Sequence, residues 1–265
     1  MNNCLVTKLK GVVDNDKLQP LGGIRLILDL NNYDSKSYMV FASSKTQKIY
    51  SKFNGSLLKE TTVGSSNTQF KPADGSFTGK VEVIIPDKYS LTRFDILPPN
   101  ALSFDWFKYS KNMDYLGINA EKCVTIDGNI SNLYGNQVIL RNTTQHIDVA
   151  DARNVISLEC QKNYNFSGDI SNCINSRLNS LRCENTSVTG EVITFAEKRA
   201  DMNRLNGLFF RGGKMTLNGR VFGSINVNVT FNSATSITIT NNSDNIPTYT
   251  LTKESDGWKV TETPK

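Results

Sequence analysis

The feature that most constrains this chain of 265 residues is a short phrase that recurs in its middle. Residues 128–133 and 168–173 share the form Gly-x-Ile-Ser-Asn-apolar and begin forty positions apart. Shorter versions of the phrase begin at Gly190, as Gly-Glu-Val, and at Gly219, as Gly-Arg-Val. Self-similarity at such spacings is the sequence signature of repeat architectures, in which stacked units bury a continuous core. The phrase therefore predicts a stack of similar coils in this region.

Short apolar ladders precede or separate these phrases, and each is typical of a short strand. Their first residues are 22, 20, 23 and 27 positions apart: Leu116, Val138, Leu158, Leu181 and Leu208. Alternation predicts that Leu158 and Cys160 point inward and that Glu159 points outward. No Gly-x-Ile phrase accompanies the Val138 ladder. An asparagine follows most ladders, where it can turn the chain while its side chain bonds to neighbouring coils: Asn119, Asn142, Asn163 and Asn185.

The pattern Leu-x-Leu/Cys-x-x-Asn with a downstream Gly-x-Ile/Val resembles an irregular leucine-rich repeat over about residues 102–222. This resemblance implies a short solenoid whose strand face binds partners. The candidate binding face comprises Glu159, Arg182 and Phe209, and Gly117 is also expected to point outward. An aromatic stretch at residues 94–107 would then cap the solenoid at its N-terminal side.

The flanking regions predict further β structure. Residues 1–90 hold short alternating runs that are separated by turn residues such as Asn54-Gly55. After Gly223 the alternation becomes strict, and an open edge strand there could pair with another copy. We therefore predict a mainly β chain with three parts: an N-terminal small β attachment domain at residues 1–90, a central leucine-rich-repeat-like solenoid with its N-terminal cap at residues 91–222, and a C-terminal β-hairpin region at residues 223–265.

Composition argues against catalysis and against nucleic-acid binding. The chain has 30 asparagines but one histidine, and its net charge of +5 is dispersed among interleaved acids and bases. His146 lies in a polar connecting segment, and the Asp148/Asp151 pair lies beside Arg153, which is more typical of a solvated helix than of acid–base chemistry. The five cysteines form no C-x-x-C pair and are expected to be reduced. We expect no catalytic residue, no metal site and no cofactor.

Targeting signals are also missing from the sequence pattern. The longest apolar run, residues 24–30, is short and contains two charged residues, so we expect no membrane partner. The first ten residues lack the apolar segment of a signal peptide. The chain is therefore expected to be made in the cytoplasm.

The opening segment carries a second resemblance. Residues 4–18, Cys-Leu-Val-Thr-Lys-Leu-Lys-Gly-Val-Val-Asp-Asn-Asp-Lys-Leu, lead to Leu-Gly-Gly-Ile at residues 21–24. Over about 30 residues this resembles the start of structural proteins of Bacteroidales-infecting phages, including the crAss-like group. The resemblance implies that the N-terminal part attaches to the virion while the rest is an exchangeable display element, as in head fibres or tail fibres. The candidate attachment residues are Leu5, Val6, Leu9, Val12 and Ile24.

Two functions of different classes remain open. The first is a non-enzymatic virion structural protein, a head fibre or capsid decoration protein, which partners capsid or tail proteins and itself as a homodimer or homotrimer. Its displayed part would bind a host-surface glycan or protein, or would serve only as a rigid stalk. The alternative is a bacterial leucine-rich-repeat surface or interaction protein, similar to an adhesin. The expected lack of a signal peptide favours the virion interpretation.

Overall fold

The computed structural model describes residues 23–31, 39–75, 77–96, 101–107, 111–119 and 125–265. Strands make up 52% of the residues and helices 12%, so pairing between strands organises the chain and the predicted mainly β class is confirmed. The chain forms two compact units, residues 1–136 and residues 137–265. The domain boundaries predicted after residues 90 and 222 stay predictions.

The first unit contains a four-stranded sheet, four neighbouring strands of a second sheet and a short parallel pair. The four-stranded sheet is antiparallel with the order β1-β6-β3-β4, and the four strands of the second sheet have the order β9-β7-β2-β5, in which only the β7–β9 pair is parallel. Strand β8 pairs in parallel with β10. The strands are β1 (Ile24–Asp29), β2 (Met39–Ser43), β3 (Gln47–Phe53), β4 (Ser56–Val63), β5 (Thr68–Phe70), β6 (Lys80–Ile85), β7 (Leu91–Ile96), β8 (Ala101–Ser103), β9 (Tyr115–Asn119) and β10 (Thr125–Asp127). The short 3₁₀ helices are Lys88–Ser90, Phe104–Phe107 and Ile130–Asn132.

Aromatic residues hold much of the core of this unit. Phe41 packs against Phe94 with ring centroids 5.6 Å apart and against Phe70 at 6.3 Å. Phe94 in turn packs edge-on against Phe107 at 5.1 Å. Such tilted ring pairs are favourable beyond the area that they bury. Phe94 and Phe107, which belong to the aromatic stretch expected to cap a solenoid, therefore contribute to the core of the first unit.

The second unit contains two series of parallel strands that alternate along the chain. One series includes β13, β15 and β17, beside β11, and the other runs β12-β14-β16-β18. These strands are β11 (Gly135–Arg141), β12 (Ile147–Asp148), β13 (Val155–Glu159), β14 (Phe166–Asp169), β15 (Ser180–Arg182), β16 (Ser187–Glu191), β17 (Leu208–Arg211) and β18 (Lys214–Leu217). The chain passes from β12 and β14 into the 3₁₀ helices Val149–Asp151 and Ile170–Cys173, and from β16 into helix α1 (Val192–Asp201).

Antiparallel strands complete the second unit. Strand β20 pairs with β17, and β20, β21, β22 and β23 then pair in sequence order. Their inward side chains alternate with polar ones, because successive residues of a strand face opposite sides of its sheet. The remaining strands are β19 (Arg220–Val221), which pairs with β18, β20 (Asn226–Ser233), β21 (Ser236–Asn241), β22 (Thr248–Glu254) and β23 (Gly257–Thr263).

At residues 168 and 190 the Gly-x-Ile phrase marks the point where a strand becomes a helical turn, whereas Gly219, in the predicted Gly-Arg-Val version, lies in the turn between β18 and β19. The middle residue caps that turn: the carboxylate of Asp169 accepts a hydrogen bond from the Ser171 amide at 2.7 Å, and Glu191 accepts one from the Ile193 amide at the start of α1. The branched residue that follows is fully buried, as Ile170 is. The middle residue of the phrase thus provides a hydrogen-bond acceptor for a free backbone amide, and the next residue provides a branched side chain for the core.

A structurally equivalent turn follows the Val138 ladder, although no Gly-x-Ile phrase is present in its sequence. Asp148 accepts a hydrogen bond from the Ala150 amide at 2.8 Å, and Val149 is fully buried. Ile147 replaces the usual glycine, which hides the match in the sequence. The Asp148 carboxylate thus has a structural partner in the backbone.

The glycine of the phrase is required by close packing between coils. Here a coil means one strand from each of the two parallel series, with the turns that join them. Gly190 has a φ of +129°, and a Cβ atom there would lie 2.5 Å from Ile170 Cγ1. Gly168 has a φ of +107°, and a Cβ atom there would lie 2.5 Å from the Oδ1 atom of Asp148. Each glycine therefore lies against the cap, or the residue after the cap, of the preceding coil, where no side chain fits.

A second feature recurs at the corners, which are the turns that follow the ladder strands. Asn142, Lys162 and Asn185 have φ values of 56°, 60° and 58°, a conformation that asparagine tolerates well. A buried polar residue follows each of them, and at the second corner this is Asn163. Its Nδ2 atom donates to the Gln145 carbonyl at 3.1 Å and also to the Thr143 hydroxyl, both in the preceding corner. Buried polar side chains thus link consecutive coils while remaining hydrogen-bonded.

Replacing Gly190 by alanine tests the close approach of the coils. We expect Gly190→Ala to lower the free energy of unfolding by about 1–2 kcal/mol for the unfavourable φ and by about 1–3 kcal/mol more for the contact with Ile170. The matched control is Gly257→Ala, because Gly257 has a nearly identical φ of +133° but a Cβ atom there would have no neighbour within 4 Å. Denaturant unfolding measures both variants. Equal losses would contradict the role assigned to the contact.

Candidate functional site

The parallel register brings the three predicted binding-face residues onto one side of a sheet. Glu159 is paired with Arg182, and Arg182 with Arg211. Phe209 lies two residues before Arg211 on β17, so it faces the same side one row away. The opposite side carries the buried residues Leu158, Leu181 and Phe210, which face the core. Alternation in the ladders therefore determines which residues form this face.

Five charged residues form a continuous series of ion pairs across this face, which we call the charge row. Its members alternate in sign from one to the next: Arg141, Glu159, Arg182, Glu184 and Arg211. Glu159 Oε2 lies 3.6 Å from Arg141 Nη2 and 3.4 Å from Arg182 Nη1. Glu184 Oε1 lies 3.3 Å from Arg182 Nη2 and 2.8 Å from Arg211 Nε. Each carboxylate is thus held between two guanidinium groups.

The parallel pairing alone does not produce the alternation of sign. It places Arg182 directly beside Arg211, where like charges would repel, and Glu184, from the corner after β15, places its carboxylate between them. The side chains of Glu159 and Glu184 are only 11% and 15% exposed, whereas those of Arg141 and Arg211 are 52% and 43% exposed. The two carboxylates are therefore shielded by their arginines. A partner approaching this face meets the outer guanidinium groups and the half-buried ring of Phe209.

Sequence reasoning identified Glu159 and Arg182 but missed the other three members of the charge row. Arg141 directly follows the ladder residue Leu140, and Arg211 directly follows Phe210. Both positions are therefore visible in the repeat once the ladders are aligned. Glu184 lies outside β15 and reaches the row through the corner, so the ladder pattern alone does not reveal it.

The candidate attachment residues are placed only in part. Leu5, Val6, Leu9 and Val12 lie outside the described residues. Ile24 is fully buried in β1, opposite Ile85 of β6. Its side chain can therefore support attachment only through the fold of this sheet. Gly117, the other residue expected to point outward, is buried, and the side chain of Asp95 lies over it, with Oδ1 2.6 Å from where a Cβ atom would be.

The residues considered for chemistry do not come together. His146 is exposed, and the nearby Asp148 carboxylate caps a helical turn. Within the described part of the chain, no three histidine, cysteine, aspartate or glutamate side chains are grouped so that they could hold a metal ion. Nor does any helix in these ranges combine the length and apolarity that a membrane span requires.

Three cysteines in the second unit are buried free thiols. Cys160 and Cys183 follow equivalent ladder strands, and Cys173 ends a 3₁₀ helix. Burial raises the pKa of Cys173 and of Cys183 to about 12, and it raises the pKa of Cys160 well above its ordinary value. Burial has this effect because the thiolate is poorly solvated in the interior. These thiols are therefore protonated at neutral pH and pack as small apolar groups.

The second unit thus contains two series of closely packed parallel strands, one of which carries a face of paired charges. Comparison with known proteins adds no relative: no family model, no curated protein and no solved structure matches this chain. The chain's own residues are therefore the basis for inferring its function.

The charge row is tested by removing one of its carboxylates. We expect Glu184→Gln to lower the free energy of unfolding by about 1–2 kcal/mol at low salt, because it leaves Arg182 and Arg211 without the anion between them. The loss should shrink at high salt. As a control, Glu254→Gln removes an exposed pair with Lys259 and should cost less than about 0.5 kcal/mol. Denaturant titrations at two salt concentrations measure these differences, and equal small costs would argue against a stabilising row.

The buried thiols predict a pattern of chemical labelling. N-ethylmaleimide at pH 8 should leave Cys160, Cys173 and Cys183 unmodified in the folded chain and should modify all three in guanidinium, as read by peptide mass spectrometry. The unfolded chain loses its thiol protons near pH 9 and the folded chain only near pH 12. The free energy of unfolding should therefore fall as the pH rises through this interval. Rapid labelling of the folded chain would contradict the burial of these thiols.

Proposed function

We propose that this chain is a non-enzymatic virion structural protein, a head fibre or capsid decoration protein that displays a short leucine-rich-repeat-like solenoid and C-terminal β-hairpins. One observation carries the proposal: the recurring polar residues of the second unit are occupied in holding its coils together. Caps such as Asp169, corner residues such as Asn163 and the carboxylates of the charge row all have partners within the unit. Such use of polar groups suits a rigid display scaffold.

The strand arrangement supports the solenoid part of the proposal. Each coil contributes one strand to the series with β13, β15 and β17, turns at a corner, and contributes a second strand to the series β12-β14-β16-β18. A helical turn then leads to the next coil. In repeat proteins of this kind each coil contacts mainly its neighbours, and the parallel strands form an extended binding surface. Glu159, Arg182 and Phe209 remain the candidate residues of that surface.

Attachment to the particle is assigned to the N-terminal part by its resemblance to phage structural proteins. The proposed contact residues are Leu5, Val6, Leu9 and Val12, with Ile24 contributing through the fold of β1. The proposed location is the virion, and the proposed partners are capsid or tail proteins.

Assembly into a homodimer or homotrimer is also proposed. Strand β23 is the last strand of its series in the second unit, and most of its residues are exposed. An exposed edge strand carries unpaired backbone groups that can pair with a strand of another copy. Sedimentation of the purified chain at high concentration tests this part, and a monomer at every concentration would oppose it.

Particle association tests the main proposal. Density-gradient particles of the phage that encodes the chain should contain it as an intact component by mass spectrometry and by immunogold labelling. In a co-sedimentation assay with such particles, the full-length Leu5→Asp/Leu9→Asp variant should be retained at least tenfold less than the native chain. The control is Leu57→Asp, which changes a leucine that is 55% exposed in the first unit. Absence from particles, together with recovery in a bacterial envelope, would favour the alternative surface protein.

A further inference from the structure

One corner of the second unit contains a cavity of about 410 Å³. It lies where β17 turns into β18, and the neighbouring corner after β15 forms its other side. Its lining includes Tyr164, Asn185, Ser187, Lys214 and Ser224, in addition to glycines of the turn. Cavities of this size commonly hold a small ligand, which is oriented by a few polar groups and an aromatic side chain.

The turn beside the cavity is formed by two glycines. Gly212 and Gly213 have φ values of 80° and 85°, and a Cβ atom at Gly212 would lie 2.6 Å from Glu184 Cα, so this turn packs closely against the neighbouring corner. The earlier corners instead carry a buried polar residue such as Asn163 after the residue of positive φ. The diglycine turn thus departs from the repeat, and the side chains that line the cavity belong to the residues around it.

The polar groups of the cavity differ from the recurring polar groups elsewhere in the unit. Within the part of the chain that the structure describes, the side chains of Asn185, Lys214 and Ser224 have no hydrogen-bond or ion-pair partner. All three are exposed. Their donors and acceptors are therefore available to a ligand, whereas caps such as Asp169 and buried corner residues such as Asn163 are already occupied.

The cavity also offers an aromatic surface. Tyr164 is 71% exposed, which is unusual for a large aromatic side chain. Its backbone is held in place, because the Ser187 hydroxyl donates to the Tyr164 carbonyl at 2.8 Å. An exposed aromatic ring on an anchored backbone, beside free hydroxyl, amide and ammonium groups, suits a ligand with one apolar face and many hydroxyls.

The charge balance favours an anion. Glu184 also lines the cavity, but its Oε1 atom is shared by Arg182 at 3.3 Å and Arg211 at 2.8 Å. Lys214 has no such counter-ion in the described residues, so its ammonium group is the uncompensated charge of the cavity. A ligand carboxylate would complete this pair.

We propose that this cavity binds an acidic saccharide, with the sugar ring against Tyr164, its hydroxyls bonded to Asn185 and Ser224, and its carboxylate bonded to Lys214. The inference deepens the proposed function, on which it rests for its biological setting, because it names the ligand class of a displayed binding site. This site adjoins the charge row, with which it shares Glu184.

Saturation-transfer NMR on the full-length chain tests the proposal with defined probes. The probes are methyl β-D-glucuronide, methyl β-D-galacturonide and the methyl glycoside of N-acetylneuraminic acid, each compared with neutral methyl β-D-glucoside. We expect transfer to the ring protons of at least one acidic probe and weaker transfer to the glucoside. Tyr164→Ala should weaken binding of the acidic probe at least tenfold, whereas Tyr89→Ala, which removes another exposed tyrosine, should leave it unchanged.

A second variant tests the charge. Lys214→Gln should abolish the preference for the acidic probe over the glucoside while retaining weak binding of both. The proposal is overturned if no acidic probe binds, if Tyr164→Ala behaves as Tyr89→Ala, or if inorganic phosphate displaces the probe at equal concentration, since that would indicate a simple anion site. Particle association is measured without sugar. If the chain is found on particles but binds no probe, only this inference is refuted. If the chain binds the sugar but is absent from particles, only the proposed function is refuted.

Discussion

Neighbouring coils of the second unit lie so close together that certain positions cannot carry a side chain. At Gly168 and Gly190 a Cβ atom would come within 2.5 Å of the preceding coil. The spacing of about 4.7–4.9 Å between paired strands sets this approach. Because the glycine permits the approach, the next residue can cap the turn and the one after it can fill the core. The Gly-x-Ile phrase therefore recurs where two coils approach each other closely.

The same spacing explains how the polar residues are used. Equivalent residues of successive coils become close neighbours, so a buried amide such as that of Asn163 can bond to the corner before it. Glu159 lies between Arg141 and Arg182 on neighbouring strands, whereas the directly paired Arg182 and Arg211 share the carboxylate of Glu184 from the corner. The high asparagine content of the chain is consistent with this use, because asparagine can cap a turn, adopt a positive φ or bridge two coils.

Prediction from sequence succeeded where a local pattern carries the information. The mainly β class and the common face of Glu159 and Arg182 follow from alternation alone. The phrase at Asp148 was missed because its glycine is replaced by Ile147, although the cap and the buried valine are retained. The outer members of the charge row and the cavity at Tyr164 depend on register between distant segments. No local pattern indicates that residues 164, 185 and 214 will line one cavity.

The departure from the repeat also separates structural polar groups from groups available for binding. A residue that holds coils together has its hydrogen-bond partners in neighbouring coils. Replacing it leaves a buried polar group without its partner. Asn163 and Asp169 belong to this class. At the diglycine turn the stacking requirement is met by backbone alone, so the side chains around it, including Tyr164 and Lys214, are not needed for the contact between coils. Residues that are free of that requirement can instead bind a ligand outside the coils. A scaffold of repeated coils needs only one such corner to bind a specific ligand.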